Sequence, residues 1–339
     1  MPPVDCSAAF LPHRSRSIRL IAIGVLALFS GSFLLSQATS APGKNSPGRA
    51  VSVPVPAAAL FVVANDMDLD DAVKKGKDQW QKDDPDQNGA MEALALIRGG
   101  KLSDLPQMRA RELQNENIWY RRMNTFCRKY SPHGKELTLI HNGAAVGTAT
   151  SLLKNDSQYE DMPVKLKLSD RSIGTMIAIT SSNAVHLHEN RAERLTAEDH
   201  DAVLRAARLE LRKNKVPVSA KIQIDSIYSA RLSPKDTRSI LAGVSYTDKR
   251  HFCHLLLILD DVNGVYKTSN VDISVAKSNQ DSRNIMVYTP IDQLDIDGDG
   301  IDEVLVHVMY YEGDDYFVLQ FKNGAWREVY MTNYPDLEG

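Results

Sequence analysis

"DEVLVHVMYYEGDDYFVLQFKNGAWREVY", residues 302–330, is three apolar or aromatic runs separated by a polar turn and by Asn323-Gly324. An earlier stretch, "RSILAGVSYTDKRHFCHLLLILDDVNGVYK" at 238–267, follows the same plan, and Asn263-Gly264-Val265-Tyr266 corresponds to Asn323-Gly324-Ala325-Trp326. Asn-Gly between two apolar runs is a strong hairpin signal, because both residues tolerate the positive φ that a tight hairpin turn requires. Two antiparallel meander units are therefore expected within residues 219–339.

The second unit is preceded by "LDIDGDGIDEVLV", residues 294–306, which crowds five acids beside an apolar strand. Counted from Asp295, carboxylates fall at positions 1, 3 and 5 (Asp295, Asp297, Asp299), glycine at 6 (Gly300), the Ile301 carbonyl at 7 and Glu303 at 9. Calcium takes about six to eight hard oxygen ligands, and alternate residues of a tight loop point inward to supply them. Without a cation such converging carboxylates repel one another, and some must take up protons. Calcium is the expected ion, held by Asp295, Asp297, Asp299, Ile301 and Glu303, with Asp302 turned outward or bonded to backbone. The first unit has only Asp236 in the corresponding loop, so the acids are not needed merely to make a turn.

"DIDGDGIDEV" resembles the calcium loop of FG-GAP/VCBS-type repeats, the units of integrin-like β-propellers and of many secreted bacterial proteins. That resemblance covers residues 290–330, and 220–267 only through the degenerate repeat. It implies a calcium-shaped β-hairpin and a binding or scaffolding role. The Phe-Gly and Gly-Ala-Pro signatures of the family are missing, and two units are fewer than a closed propeller needs.

A second acidic loop, "DPDQNGAME" at 84–92, offers Asp84, Asp86, Asn88 and Glu92 as candidate ligands, but Ala95 stands where the closing bidentate glutamate of an EF-hand belongs. The plainer interpretation is an Asp-Pro turn leading into a helix. His186 and His188 alternate on an expected strand, and His251, Cys253 and His254 cluster in "HFCH", without the spacing of a zinc site. No nucleophile elbow, phosphate loop, zinc-protease helix or dinucleotide fingerprint is present.

Towards the N-terminus the expected period becomes helical. "DLDDAVKKGKDQWQK" opens with acids, "AMEALALIR" stops at Gly99-Gly100, and Trp119, Met123, Phe126, Cys127 and Tyr130 line one face of a longer helix. Between the helical and β regions, "ELTLIHNGAAVGTAT" predicts a hairpin, "TMIAIT" and "AVHLHE" predict strands, and Thr196 with Asp199 opens a capped helix. The fold class expected is α+β, a helical N-terminal segment followed by antiparallel β-meander units in a partial propeller-like or sandwich sheet. The divisions are a signal peptide or signal anchor at 1–40, a Pro/Gly/Ser-rich linker at 41–60, the helical segment at 61–133, β-hairpins plus one helix at 134–218, and the calcium-loop region at 219–339.

Arg14, Arg16 and Arg19 precede the apolar run "LIAIGVLALFSGSFLLS" at 20–36, and Ala38 and Ser40 form a small-residue cleavage site. This is the pattern of a secretory signal, predicting a secreted or periplasmic protein. The alternative is an uncleaved anchor at 20–36 with the body exported. Loss of Cys6 with the signal leaves Cys127 and Cys253, either bridged or as two buried thiols. A net charge of −3 over 339 residues excludes the basic footprint of a nucleic-acid binder. Two functions stay open at this point. One is a non-enzymatic binding protein for a protein or glycan ligand; the other is an exported hydrolase whose site no motif marks.

Overall fold

The computed structural model describes residues 57–65, 87–105, 116–153, 162–170, 173–189, 194–230, 232, 238–277, 285–310 and 313–332. Its first half is a barrel. Strands β1 (Ala58–Ala64), β2 (Gln87–Ile97), β3 (Leu102–Ser103), β4 (Glu136–His141), β5 (Ala144–Ser151), β6 (Met162–Leu168) and β7 (Thr175–Ile179) are ordered β1-β7-β4-β5-β6-β2-β3. Antiparallel pairing of β1 with β2 closes six of them, and β3 extends β2 outside the ring. Closure removes the open edges that a sheet of this length would otherwise expose.

Alternation along the strands fills both sides of the barrel wall. Ala59, Phe61 and Val63 of β1 point inward, where they meet Met123, Phe126 and Cys127 of helix α1 (Glu116–Tyr130). Ala58, Leu60 and Val62 point outward into a second core. The stripe of α1 is thus a core face, with Trp119, Met123 and Cys127 almost wholly buried.

Two four-stranded antiparallel meanders follow. The first comprises β8 (Ile222–Ala230), β9 (Ser239–Thr247), β10 (Phe252–Val262) and β11 (Val265–Ala276). The second comprises β12 (Val287–Leu294), β13 (Glu303–Tyr310), β14 (Gly313–Lys322) and β15 (Ala325–Met331). Asn263-Gly264 and Asn323-Gly324 make equivalent turns between the third and fourth strands, each residue at positive φ (59° and 79°; 54° and 80°). The repeat therefore runs to four strands per unit.

The layers stack through shared cores. Leu305, Tyr316, Val318 and Tyr330 of the second meander pack on the outer face of the barrel, against Leu60, Leu94, Ile140 and Ile177. Its opposite face, with Val304, Val306, Phe317 and Leu319, packs on Leu241, Leu256 and Ile258 of the first meander. Helix α2 (Ala197–Lys213) covers the far side of that sheet through Val203, Ala207 and Leu211. It is capped as its sequence predicts: Thr196 N–H donates to Asp199 Oδ2, and Asp199 N–H donates to Thr196 Oγ1.

The expected helical N-terminal segment is overturned. Strand is the dominant structure, and the described residues contain two α-helices and one short 3₁₀ turn, Ser182–Ala184. Of the segment 61–133, α1 is helical, whereas "AMEALALIR" is the greater part of β2 and "DLDDAVKKGKDQWQK" lies outside the described residues. The cause is a β-bulge. Leu60 pairs with Ala95 but Phe61 with Ala93, so Leu94 is an extra residue and the inward face passes from Met91 and Ala93 to Leu96. A bulge puts two residues opposite one, and the broken alternation imitates helical spacing. "AVHLHE" is likewise not a strand; it makes one isolated bridge, His186 to Asp295. The signal-like residues 20–36 lie outside the described residues. Among the described residues no helix is long and apolar enough to cross a membrane.

Candidate metal centre

The acidic loop joins β12 to β13, where the buried wall of the second meander meets the barrel. One ligand atom from each of Asp295, Asp297 and Glu303 lies within 4.8 Å of the others. Asp295 and Glu303 are buried at 2% and 3% exposure, which is costly for carboxylates unless they are compensated.

Backbone amides supply part of that compensation. Gly298 N–H donates to Asp295 Oδ1 at 2.6 Å, Gly300 N–H to Asp295 Oδ2 at 3.1 Å, and Ile296 N–H to Glu303 Oε2 at 2.7 Å. Gln320 Nε2, from β14, donates to both Asp297 Oδ2 and Glu303 Oε1 at 2.7 Å. Among the described residues no lysine, arginine or histidine reaches Asp295, Asp297 or Glu303 at ion-pair distance. Burial pushes Glu303 up to about 7; the Ile296 amide and Gln320 lower it, and the charges of Asp297 and Asp295 raise it again.

Three carboxylates, two of them buried, with no basic partner, suit a hard divalent cation. They cannot complete its shell alone, leaving the remainder to water and backbone carbonyls. Asp299, another of the expected carboxylates, is not in that group: it is exposed, and its Oδ1 accepts the Ile301 N–H at 2.9 Å in a local turn.

The barrel grips this loop at three points. A Cβ on Gly100, in the β2–β3 turn, would lie 3.1 Å from the Asp297 Cα. His186 N–H donates to the Asp295 carbonyl at 2.9 Å, and a Cβ on Gly298 would meet His186 Nε2 at 2.5 Å. Asp302, expected to turn outward or to bond backbone, is instead 1% exposed and bonds the side chain of His188 at Nε2, 2.6 Å away. Burial raises it to about 6, His188 opposes that rise, and the charges of Asp295 and Asp292 add to it.

A neighbouring pair was not anticipated. Asp292, on β12, accepts from Asn142 N–H at 2.7 Å and from Gln293 N–H at 2.8 Å, and contacts His141 Nδ1 at 3.1 Å. The available signal was an acid inside the apolar run "YTPIDQLDI". Gln320, inside "FVLQF", carried the same kind of signal.

Among the described residues the other candidate ligands do not converge. Asp84 and Asp86 lie outside the described residues; Asn88 and Glu92 stand four positions apart on β2, ~13 Å along a strand and too far for one cation. Glu92 accepts a hydrogen bond from the Tyr316 hydroxyl at 3.2 Å. The cluster at Asp295 is the sole convergent group of three potential ligands among the described residues, so the histidines and Cys253 form none. Cys127 and Cys253 are both free and lie in separate cores, so no bridge joins them. No family model, curated protein or solved structure matches this chain.

Proposed function

We propose that this is an exported, non-enzymatic binding protein, in which calcium at Asp295, Asp297 and Glu303 fixes the β12–β13 loop against the barrel. The convergence of three carboxylates within 4.8 Å, with no basic partner among the described residues, carries this reading. The resemblance of the loop to FG-GAP/VCBS-type calcium loops, and the signal-like N-terminus, support it. The ion's role is structural: it neutralises charge beside the buried strand β13 and stiffens the adjoining surface, on which a protein or glycan ligand would dock.

Calorimetric titration of chelator-treated protein tests the site. One calcium site is expected, stronger than for magnesium and absent from an Asp295→Asn, Asp297→Asn variant. No heat from the intact protein, or a site that survives in the variant, overturns the assignment. Retention on a glycan panel or on immobilised exported proteins, in calcium but not in chelator, is expected for the binding role. Turnover of ester, glycoside or peptide reporter substrates would instead identify a hydrolase.

A further inference from the structure

The barrel meets the second meander through an apolar core, and His141 and Asp292 meet beside it at the β4–β5 turn. Asp292 is 5% exposed and receives His141, the last residue of β4, and the N–H of Asn142, the first residue of the turn. Asn142 and Gly143 hold positive φ of 52° and 69°, so the turn is narrow and presents both donors to one carboxylate. Beside it, His188 N–H donates to the Gly143 carbonyl at 2.9 Å.

We propose that the His141–Asp292 contact is a proton-dependent latch: the protonated imidazole holds the β4–β5 turn against β12, and loss of that proton loosens the turn. A buried carboxylate facing a charged partner is held firmly, whereas the same carboxylate facing a neutral imidazole keeps most of its desolvation cost. Among the described residues, the other titratable groups facing the pair are Asp170 just after β6, Tyr228 on β8, and Asp302 with its partner His188. Asp170 acts in the same direction as Asp292 on His141.

The sign follows from the environment of each group. Burial disfavours the His141 imidazolium, but Asp292 and Asp170 more than offset it, and His141 titrates above its ordinary 6.5. Its contribution to the docked state is therefore complete below 6.5 and is lost as pH rises through the displaced value. Burial raises Asp292, and its partners His141, Gln293 and Asn142 draw it down. Ionised Asp292 is thus tolerated best while His141 is charged.

Exchange of the Asn142 amide, followed by NMR in chelator and corrected for the intrinsic rate at each pH, tests the latch separately from calcium. Between about pH 6 and about pH 8.5 the corrected rate is expected to rise several-fold. In His141→Gln the rate is expected to be high at both pH values. An unchanged rate in the natural protein, or an equal slope in His141→Gln, overturns the proposal. Asp292→Asn retains an acceptor for the Asn142 amide, and in it the midpoint of the His141 ring is expected to fall, because only Asp170 is then left to oppose burial. A midpoint that stays raised in that variant removes Asp292 as the partner.

Discussion

At the scale of single residues, the loop is defined by what its carboxylates touch. Gln320 binds one oxygen of Asp297 and one of Glu303 with the same amide nitrogen. Gln320→Leu leaves both short of a donor, and in chelator it should cost about 1–3 kcal/mol by denaturant unfolding. In saturating calcium the loss should be smaller, because the ion takes over the neutralisation. Gly143→Ala is expected to be worse than an ordinary surface change. Its φ of 69° disfavours a side chain, and the new Cβ would lie 2.9 Å from the His188 ring and 3.0 Å from Asp302 Oδ2. A loss of at least ~1 kcal/mol should appear as a lower denaturation midpoint. The sequence displays Asp295, Asp297 and Glu303 through their spacing, but the same spacing also offers Asp299, which the fold turns to solvent. It gives no partner for Asp292 or Asp302, because His141 and His188 lie more than a hundred positions away.

At the scale of elements, legibility followed burial. Strands buried on one side, and turns with a fixed chemistry, could be read directly: the Asn142-Gly143 hairpin, the strand over Thr175–Ile179 and the paired Asn-Gly turns. Helix α2 was equally plain, since its capping box is a local pattern. Thr196→Ala should cost about 1 kcal/mol, read from the denaturation midpoint. Asp199, its reciprocal partner, also accepts from Arg238 and from the Tyr266 hydroxyl, so the cap ties the helix to its sheet. The strands β1 and β2 were not legible. Both faces of β1 are buried, giving the unbroken apolar run "AALFVVA", and the bulge at Leu94 removes the alternation from β2. A barrel wall wedged between a helix and a second sheet carries no period that local sequence can reveal.

At the scale of the whole molecule, helix, barrel, two meanders and helix share successive cores, and the acidic loop lies at the seam between barrel and meander. The two thiols occupy different layers of this stack. Burial pushes Cys127 up to about 12 and Cys253 to about 11, so neither is reactive while folded. A disulfide-exchange reagent should label neither Cys127 nor Cys253 in the native protein and both in denaturant; labelling of neither after denaturation would mean that they are bridged. An ion held by the acidic loop is registered by amide exchange within that loop. Ile296, Gly298 and Gly300 donate to the carboxylates that would hold calcium. Their exchange should slow by at least about tenfold when calcium is added to chelator-treated protein, a gain of ~1.4 kcal/mol in local stability. Rates that do not change with calcium would contradict the account and leave the acidic run as a turn held by its own backbone.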